Sequence, residues 1–201
     1  MTTREAYQLR EVRPEDAGIY VGCHVECLAE TYAEIMPPAF FDQQRAAVGE
    51  RVAATRRALE RAAGAPERAT RSWLALDAAG AAVGVARSGP GPQPYEAEIG
   101  APPATVVFEL HHIYTRRHTY GTGLGQALFE VAVGDRDVYL WILQGNLRAE
   151  RFYRRNGLRP DGVEIRCGPV WFHRPMFRMV RQAGARSSPD ADAAARTDLA
   201  L

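Results

Sequence analysis

The sequence predicts one α/β domain, and three observations support this prediction. The 201 residues are 46% hydrophobic and 24% charged, which is typical of an ordinary globular chain. Between residues 105 and 157, two apolar strand patterns alternate with two helical patterns, which predicts a right-handed crossover between parallel strands. No internal repeat is present. We expect the domain to span residues 1–182 and a disordered tail without periodicity to span residues 183–201.

Charge and hydropathy exclude several classes of protein. The net charge is +1, so no global basic field favours a nucleic-acid or membrane partner. All 25 basic residues are arginines, which excludes a P-loop lysine and a Schiff-base lysine. No stretch approaches the roughly 20 apolar residues of a bilayer span, so we expect a cytoplasmic protein.

The three cysteines do not form a disulfide framework, because Cys23, Cys27 and Cys167 are an odd and sparse set. Cys23 and Cys27 share one face of a predicted helix. Because too few further ligands stand at metal-site spacing, we interpret them as core residues and expect no metal site.

The N-terminal third predicts a strand followed by helices. Residues 7–12 alternate weakly between apolar and polar positions, as in a strand. Pro14 and two acidic residues then begin a helix, in which apolar residues recur at spacings of three and four as far as Tyr32. Residues 40–63 predict one or two further amphipathic helices.

A hairpin and a proline-rich segment follow. Residues 72–77 and 82–88 read as two strands joined by a short turn. Residues 89–103 contain five prolines and three glycines, which predicts a long loop. We interpret this loop as a variable surface insertion, and the alternative is a functional segment.

The strongest strand and helix patterns lie in the second half of the chain. Residues 105–115 and 138–143 predict buried strands, and residues 123–134 and 146–157 predict the helices that follow them. Each helix is followed or ended by a glycine.

The C-terminal part of the domain predicts a closing hairpin with strands at 162–167 and 170–181. The apolar run 170–172 is either a core strand or an exposed edge through which a homodimer could form.

A glycine-rich loop, Tyr120-Gly-Thr-Gly-Leu-Gly125, joins the predicted central strand to a helix. Free backbone N–H groups and the helix dipole favour a phosphate at such a position. A Walker A loop would need a lysine, and a dinucleotide fingerprint would need glycine in place of Gln126, so both nucleotide interpretations fail. The remaining alternative is that these glycines serve only a tight turn.

Two segments of the sequence, at 109–128 and 140–162, resemble the two core motifs of the GNAT superfamily of N-acetyltransferases, bacterial type. The pyrophosphate loop of that family, Gln/Arg-x-x-Gly-x-Gly/Ala, maps without gaps onto residues 120–125. The second motif, Asn-x-x-Ala-x-x-Phe-Tyr-x-x-x-Gly, is matched by Asn146, Ala149, Phe152, Tyr153 and Gly157. The resemblance implies a single GNAT-like domain with a central mixed, mostly antiparallel sheet of about six or seven strands and helices on both faces.

The resemblance also implies acetyl-CoA as cosubstrate and assigns residues to it. The loop residues Tyr120, Gly121, Thr122, Gly123, Leu124 and Gly125 would bind the pyrophosphate. The central strand of the family bulges and pairs with the pantetheine arm, which assigns this role to the backbones of Ile113, Tyr114 and Thr115. The amide after the bulge would hold the thioester oxygen.

The loop departs from the family pattern at its first position, where Tyr120 replaces Gln or Arg, and at Thr122, which is often basic. We therefore expect weakened affinity for the cosubstrate. Arg116 or Arg117 would compensate, and the alternative is that both are solvated loop charges.

Glu109 is the candidate general base, because it is charged within an apolar strand where burial would raise its pKa. The alternative is a structural acid paired with an arginine. Strand alternation puts His111 on the face of Glu109, as the alternative base, and His112 on the opposite face, as a structural residue.

Tyr153 aligns with the tyrosine that protonates the leaving thiolate in the family, and the alternative is a packing tyrosine. Asn146 lies two helical turns earlier on the same face. It would contact the pantetheine amide, cap the helix, or do both. Phe152 is interpreted as a core residue.

The resemblance implies an N-acetyltransferase that moves an acetyl group directly to a primary amine of a small molecule or peptide. The alternative is a catalytically silent acyl-CoA-binding sensor. The acceptor would lie near a set of aromatic and methionine side chains, most of which we interpret as core: Tyr32, Met36, Phe40, Phe41, Trp171, Phe172 and Met176.

Overall fold

A seven-stranded sheet organises the computed structural model, which describes residues 6–63 and 70–182. The strands are β1 Gln8–Glu11, β2 Arg71–Leu76, β3 Ala82–Pro90, β4 Phe108–Thr115, β5 Val138–Leu143, β6 Arg159–Arg166 and β7 Pro175–Arg181. The helices are α1 Ala17–Tyr32, α2 Pro38–Ala46, α3 Val48–Ala63, α4 Pro94–Glu98, α5 Leu124–Ala132 and α6 Leu147–Arg155. The predicted tail, residues 183–201, lies outside the described residues.

The strand order is β1-β2-β3-β4-β5-β7-β6, and every neighbouring pair is antiparallel except β4 and β5. The prediction of a mixed, mostly antiparallel sheet is confirmed. So is the crossover, because α5 connects the two parallel strands.

Helices cover both faces of this sheet. Leu74 and Val85 pack with the side chains of α1, whereas their chain neighbours Ala75 and Ala86 pack with those of α5. Because successive side chains of a strand point to opposite faces, α1 and α5 lie on opposite sides. None of the described helices is long and apolar enough to cross a membrane.

Cys23 and Cys27 are buried on α1 among apolar side chains, with their Sγ atoms 4.0 Å apart. Their interpretation as core residues is confirmed. Within residues 6–63 and 70–182, no group of three His, Cys, Asp or Glu side chains is placed to hold a metal ion.

The parallel strands β4 and β5 diverge soon after they meet. Glu109 opposite Tyr139 is the register pair between them among the described residues. Beyond this pair the two strands separate, whereas on its other edge β5 pairs with β7 along its whole length. The edge of β4 that faces β5 is therefore left open towards its C-terminal end.

The proline-rich segment, predicted as a long loop, contains regular secondary structure. Strand β3 extends to Pro90, and helix α4 lies in the middle of the segment. The buried side chain of Arg178 on β7 anchors the segment, because it donates to the carbonyl oxygens of Pro102 at 2.6 Å and Pro103 at 3.3 Å. The same guanidinium forms an ion pair with Asp161 at 2.6 Å.

Two predicted strands are shorter than expected. The central strand begins at Phe108 rather than residue 105, and the last strand begins at Pro175 rather than residue 170. Residues 170–172 belong to a 3-10 turn and its cap, because Pro169 and the positive φ of Phe172, 53°, interrupt extended pairing. The apolar run 170–172 is therefore neither a core strand nor a strand edge.

We expect Arg178→Gln to destabilise the protein by about 3 kcal/mol, because it leaves Asp161 and two carbonyl oxygens without their charged donor. The melting temperature should fall by roughly 6 to 12 °C in calorimetry. The control is Arg154→Gln, which breaks an exposed pair with Glu150 and should cost under about 1 kcal/mol. Equal losses in both variants would contradict the anchoring role.

Candidate active site

The glycine loop turns the chain from β4 into α5. Gly121 and Gly123 have φ values of 80° and 88°, and Gly123 is the N-cap of α5, so both occupy a conformation that other residues rarely adopt. The N–H groups of Gly125 and Gln126 belong to the first turn of α5, where the helix itself supplies no carbonyl one turn earlier. The loop therefore presents backbone donors and the positive end of a helix dipole.

The two departures from the expected loop have structural roles. Thr122 Oγ1 accepts from the N–H of Leu124 at 3.4 Å and donates to the carbonyl oxygen of Thr119 at 2.8 Å, which holds the turn. The ring of Tyr120 packs under the guanidinium of Arg148, 3.5 Å from the ring centroid.

Of the two arginines expected to supply the missing charge, Arg116 is engaged elsewhere, whereas the role of Arg117 stays a prediction. The guanidinium of Arg116 forms ion pairs with Glu26 and Glu30 of α1. Arg148, in the first turn of α6, is the cation that contacts the loop. Sequence reasoning missed it because residues 120 and 148 belong to different motifs, and no local pattern joins them.

Strand β4 contains the expected bulge, at His111. The register with β3 shifts there, because His112 pairs with Arg87 while Leu110 pairs with Ser88. The N–H of Arg116 donates to the carbonyl of Val83 in the same ladder.

Alternation along this ladder directs the backbone groups of Tyr114 towards β3 and those of Ile113 and Thr115 towards the open edge. The sequence assigned three backbones to the pantetheine arm, and two of them therefore face the open edge of β4. Tyr114 faces the site through its phenol instead, since it lines a cavity described below.

Glu109 is 2% exposed and is surrounded by hydroxyl and acid groups. Tyr139 donates to its Oε2 at 3.3 Å and Tyr95 to its Oε1 at 3.4 Å. Burial, and then the neighbouring carboxyl of Glu96, raise the pKa of Glu109 to about 8. The shift is in the direction expected for a general base. The alternative interpretation paired Glu109 with an arginine, but the groups around its carboxyl are Tyr95, Tyr139 and His111.

Sequence reasoning missed Glu96, which lies in the segment interpreted as an insertion. Its side chain is 2% exposed and accepts from Tyr139 at 2.9 Å, from Trp141 Nε1 at 2.9 Å and from the N–H of Gln93 at 2.7 Å. Tyr139 thus lies between two buried carboxyl groups. No sequence signal separates Glu96 from its neighbour Glu98, because only the fold determines which of them enters the interior.

His111 stands between Glu109 and open space. Its Nε2 is 3.7 Å from Glu109 Oε2 and has no hydrogen-bond partner in the described part of the chain. Burial, and then the charge of Arg87, lower the pKa of His111 to about 4, so the ring is neutral near pH 7. The unpartnered Nε2 is itself buried and faces Glu109, so it is the carbon edge of the ring that lines open space.

Strand alternation predicted that His112 points to the opposite face, which is wrong: because of the bulge at His111, it lies on the face of the cavity residue Tyr114, with ring centroids 6.0 Å apart. Its ring stacks on His24 at 4.3 Å, and its Nε2 is 2.7 Å from the hydroxyl of Tyr20. This histidine is held within the packing of α1 against the sheet.

Asn146 caps α6, because its Oδ1 accepts from the N–H of Ala149 at 3.2 Å. Tyr153, on the same helix, is buried against Phe129 and Phe152. Burial, and then the neighbouring Tyr32, raise the pKa of Tyr153, so its hydroxyl keeps its proton. The interpretation of Phe152 as a core residue is confirmed, since it packs against the main cluster.

A cavity of about 470 Å³ lies beside His111. Of the residues expected around the acceptor, Tyr32, Trp171 and Met176 line it, whereas Phe40 is fully buried beneath it. The sequence did not predict the contribution of α4 and its C-cap: Tyr95, Glu98 and Ile99. The remaining lining residues are Tyr114, Trp141, Leu143, Cys167, Gly168, Pro169 and Val170.

The fold is shared with solved acetyltransferases at low sequence identity. A PaiA N-acetyltransferase from Thermoplasma acidophilum, solved with coenzyme A, is 16% identical at a TM-score of 0.62, covering 88% of this chain and 99% of its own. A GNAT superfamily phosphinothricin acetyltransferase from Sinorhizobium meliloti, solved with acetyl-CoA, is 18% identical at a TM-score of 0.58, and the match covers 88% of each chain. A histone acetyltransferase HPA2 and related acetyltransferase from Corynebacterium glutamicum is 23% identical at a TM-score of 0.56, and the match covers 88% of this chain and 96% of that one.

No protein-family model and no curated protein matches the sequence. The structural likeness nevertheless confirms the expected architecture, so this chain has the fold of the GNAT acetyltransferases.

The raised pKa of Glu109 predicts a measurable dependence of stability on pH. The folded state holds this proton up to about pH 8, whereas the unfolded state loses it near 4.5. The contribution of Glu109 to the free energy of unfolding should therefore fall as the pH rises through this range, by at most about 1.4 kcal/mol per pH unit. Glu109→Gln should lack this slope and gain stability relative to the wild type towards pH 8.

The measurement is urea unfolding of both proteins from about pH 5 to about pH 9. The control variant is Glu130→Gln, which changes an exposed glutamate of α5 and should give a curve parallel to that of the wild type. A curve for Glu109→Gln that is also parallel to the wild type would contradict the raised pKa.

Proposed function

We propose that the protein is an N-acetyltransferase that moves the acetyl group of acetyl-CoA directly to a primary amine of a small molecule or peptide. The observation that carries the proposal is the Glu109–His111 pair. The pair lies on β4, at the point where this strand separates from β5. His111 lines the cavity, and the same strand leads towards the glycine loop.

The donor site is supported by backbone groups that suit a pyrophosphate and a pantetheine amide. Gly121, Gly123, Leu124 and Gly125 would bind the phosphates through main-chain N–H groups, with Arg148 adding charge beside Tyr120. Thr122 shapes the loop. The open backbones of Ile113 and Thr115 would pair with the pantetheine arm, as an added strand does, and Asn146 would contact its amide. Two proteins of similar fold were solved in complex with coenzyme A or acetyl-CoA, and they support this assignment.

The base would be the pair rather than either residue alone. His111 lines the cavity, whereas Glu109 lies behind it. Above about pH 8, with Glu109 ionised and His111 neutral, the pair takes one proton from the ammonium of the acceptor. The resulting imidazolium is stabilised by the carboxylate 3.7 Å away.

The deprotonated amine then attacks the carbonyl carbon of the thioester. The C–N bond forms, the C–S bond breaks, and sulfur keeps the electron pair. Tyr153 gives its proton to that sulfur, and the proton lost from the nitrogen as the amide forms replaces it. One proton per turnover leaves through the Glu109–His111 pair to solvent.

The alternative, a silent acyl-CoA sensor, rests on Tyr120 in place of the usual Gln or Arg. The contact of Arg148 with this tyrosine weakens that alternative, because it restores a cation beside the loop. The two functions share a donor site and differ in whether Glu109 and Tyr153 do chemistry.

Donor binding is tested by thermal denaturation with acetyl-CoA or CoA, and with NAD as the control ligand. At 100 times its Kd, a ligand adds about 2.7 kcal/mol. This should raise the melting temperature by roughly 5 to 11 °C. The absence of a rise with both CoA compounds would contradict the proposed function.

Catalysis is tested with Glu109→Gln and Tyr153→Phe, using release of CoA as the signal. Each variant should lower kcat by about 10²- to 10⁴-fold while the thermal shift with acetyl-CoA is retained. The wild-type rate should rise with pH up to about 8, and Glu109→Gln should lose this dependence. Unchanged kcat in both variants would contradict the assigned roles, and Glu130→Gln serves as the control.

A further inference from the structure

The walls of the cavity beside His111 are mainly aromatic. Helix α4 and the turn after β6 close over the face formed by β4, β5 and β7. The aliphatic side chains of Ile99, Leu143 and Met176 fill the spaces between the rings. Five aromatic side chains come together there from five separate parts of the chain: Tyr32, Tyr95, Tyr114, Trp141 and Trp171.

Among the residues that the structure describes, the lining of the cavity contains a glutamate and no arginine. The chain has 25 arginines, yet none of those in the described residues lines this space. Glu98 stands among the lining residues with an exposed side chain, and Glu109, which ionises only towards pH 8, lies behind His111. The described lining therefore offers a carboxylate for a cation and no guanidinium for a carboxylate.

We propose that the acceptor is an arylalkylamine, that is, a primary monoamine on an aromatic body with no carboxylate. This inference rests on the proposed function and specifies the substrate class of the same site. The aromatic ring of the acceptor packs among the five aromatic side chains, and its amino group lies towards His111, which lines the same cavity.

Other classes of amine fit these walls poorly. An amino acid would bring a carboxylate into a space without an arginine, where burial of an unpaired ion is costly. A polyamine would leave a second ammonium against aliphatic side chains. The volume of about 470 Å³ lies within the range of about 300–1,000 Å³ that is usual for small-molecule sites.

The test compares kcat/KM for phenethylamine, phenylalanine and spermidine with acetyl-CoA held at saturation. Phenylalanine adds only a carboxylate to the skeleton of phenethylamine, and spermidine replaces the ring by further ammonium groups. We expect phenethylamine to exceed each of the others by at least about 100-fold.

A charge added at the rim gives a second measurement. Val170 lines the cavity and is 52% exposed, so Val170→Arg should fold normally and place a cation at the entrance. We expect it to lower the preference for phenethylamine over phenylalanine roughly tenfold. The matched control is Val107→Arg, at a 78% exposed valine outside the cavity lining, which should leave this ratio unchanged.

The outcomes separate this inference from the proposed function. Acetylation of phenylalanine or spermidine at a rate equal to or above that of phenethylamine would overturn the substrate class and leave the acetyltransferase standing. Failure to acetylate phenethylamine, with a thermal shift by acetyl-CoA intact, would also overturn the substrate class. Loss of the thermal shift itself would instead remove the proposed function. Equal ratios in the two arginine variants would contradict the placement of the acceptor in this cavity.

Discussion

The site depends on the burial of two carboxyl groups around one tyrosine hydroxyl. Tyr139 donates to Glu96 and to Glu109, which come from different elements and are both 2% exposed. Burial, and then the proximity of Glu96, raise the pKa of Glu109, and the hydrogen bonds of Glu96 hold helix α4 against the sheet. The backbone has to approach closely for this to occur, since a Cβ on Gly91 would lie 1.9 Å from the Tyr139 hydroxyl. A single cluster therefore sets both the proton affinity of the base and one wall of the cavity.

The divergence of β4 from β5 gives this cluster its access to substrates. A crossover that pairs two parallel strands at Glu109 and Tyr139 leaves the rest of β4 with an unpaired edge. The bulge at His111 falls where the strands separate, and it brings the imidazole to the cavity while Glu109 stays behind. The glycine loop follows at the end of the same strand, so the positions proposed for the base, the thioester and the phosphates lie along one element.

The proline-rich segment shows how a sequence without periodicity becomes part of a site. After Pro90 its prolines keep it from continuing in the sheet, yet Arg178 fixes its C-terminal part and Glu96 fixes its centre. Tyr95, Glu98 and Ile99 are thereby held over the cavity. These three residues contribute to the acidic and aromatic character from which the acceptor class is inferred.

The sequence by itself determined the parallel crossover, the position of the glycine loop and the order of the longer elements, because each depends on spacings within one strand or helix. Glu109 with a raised pKa, Asn146 as a cap and Phe152 in the core follow from such local patterns. Only the tertiary structure decided that Glu96 enters the interior, that Arg148 rather than Arg116 contacts the loop, and that the backbone of Tyr114 faces β3. These features are contacts between elements that are distant in the sequence. Their geometry is set by the packing of the whole sheet and not by any single segment of the chain.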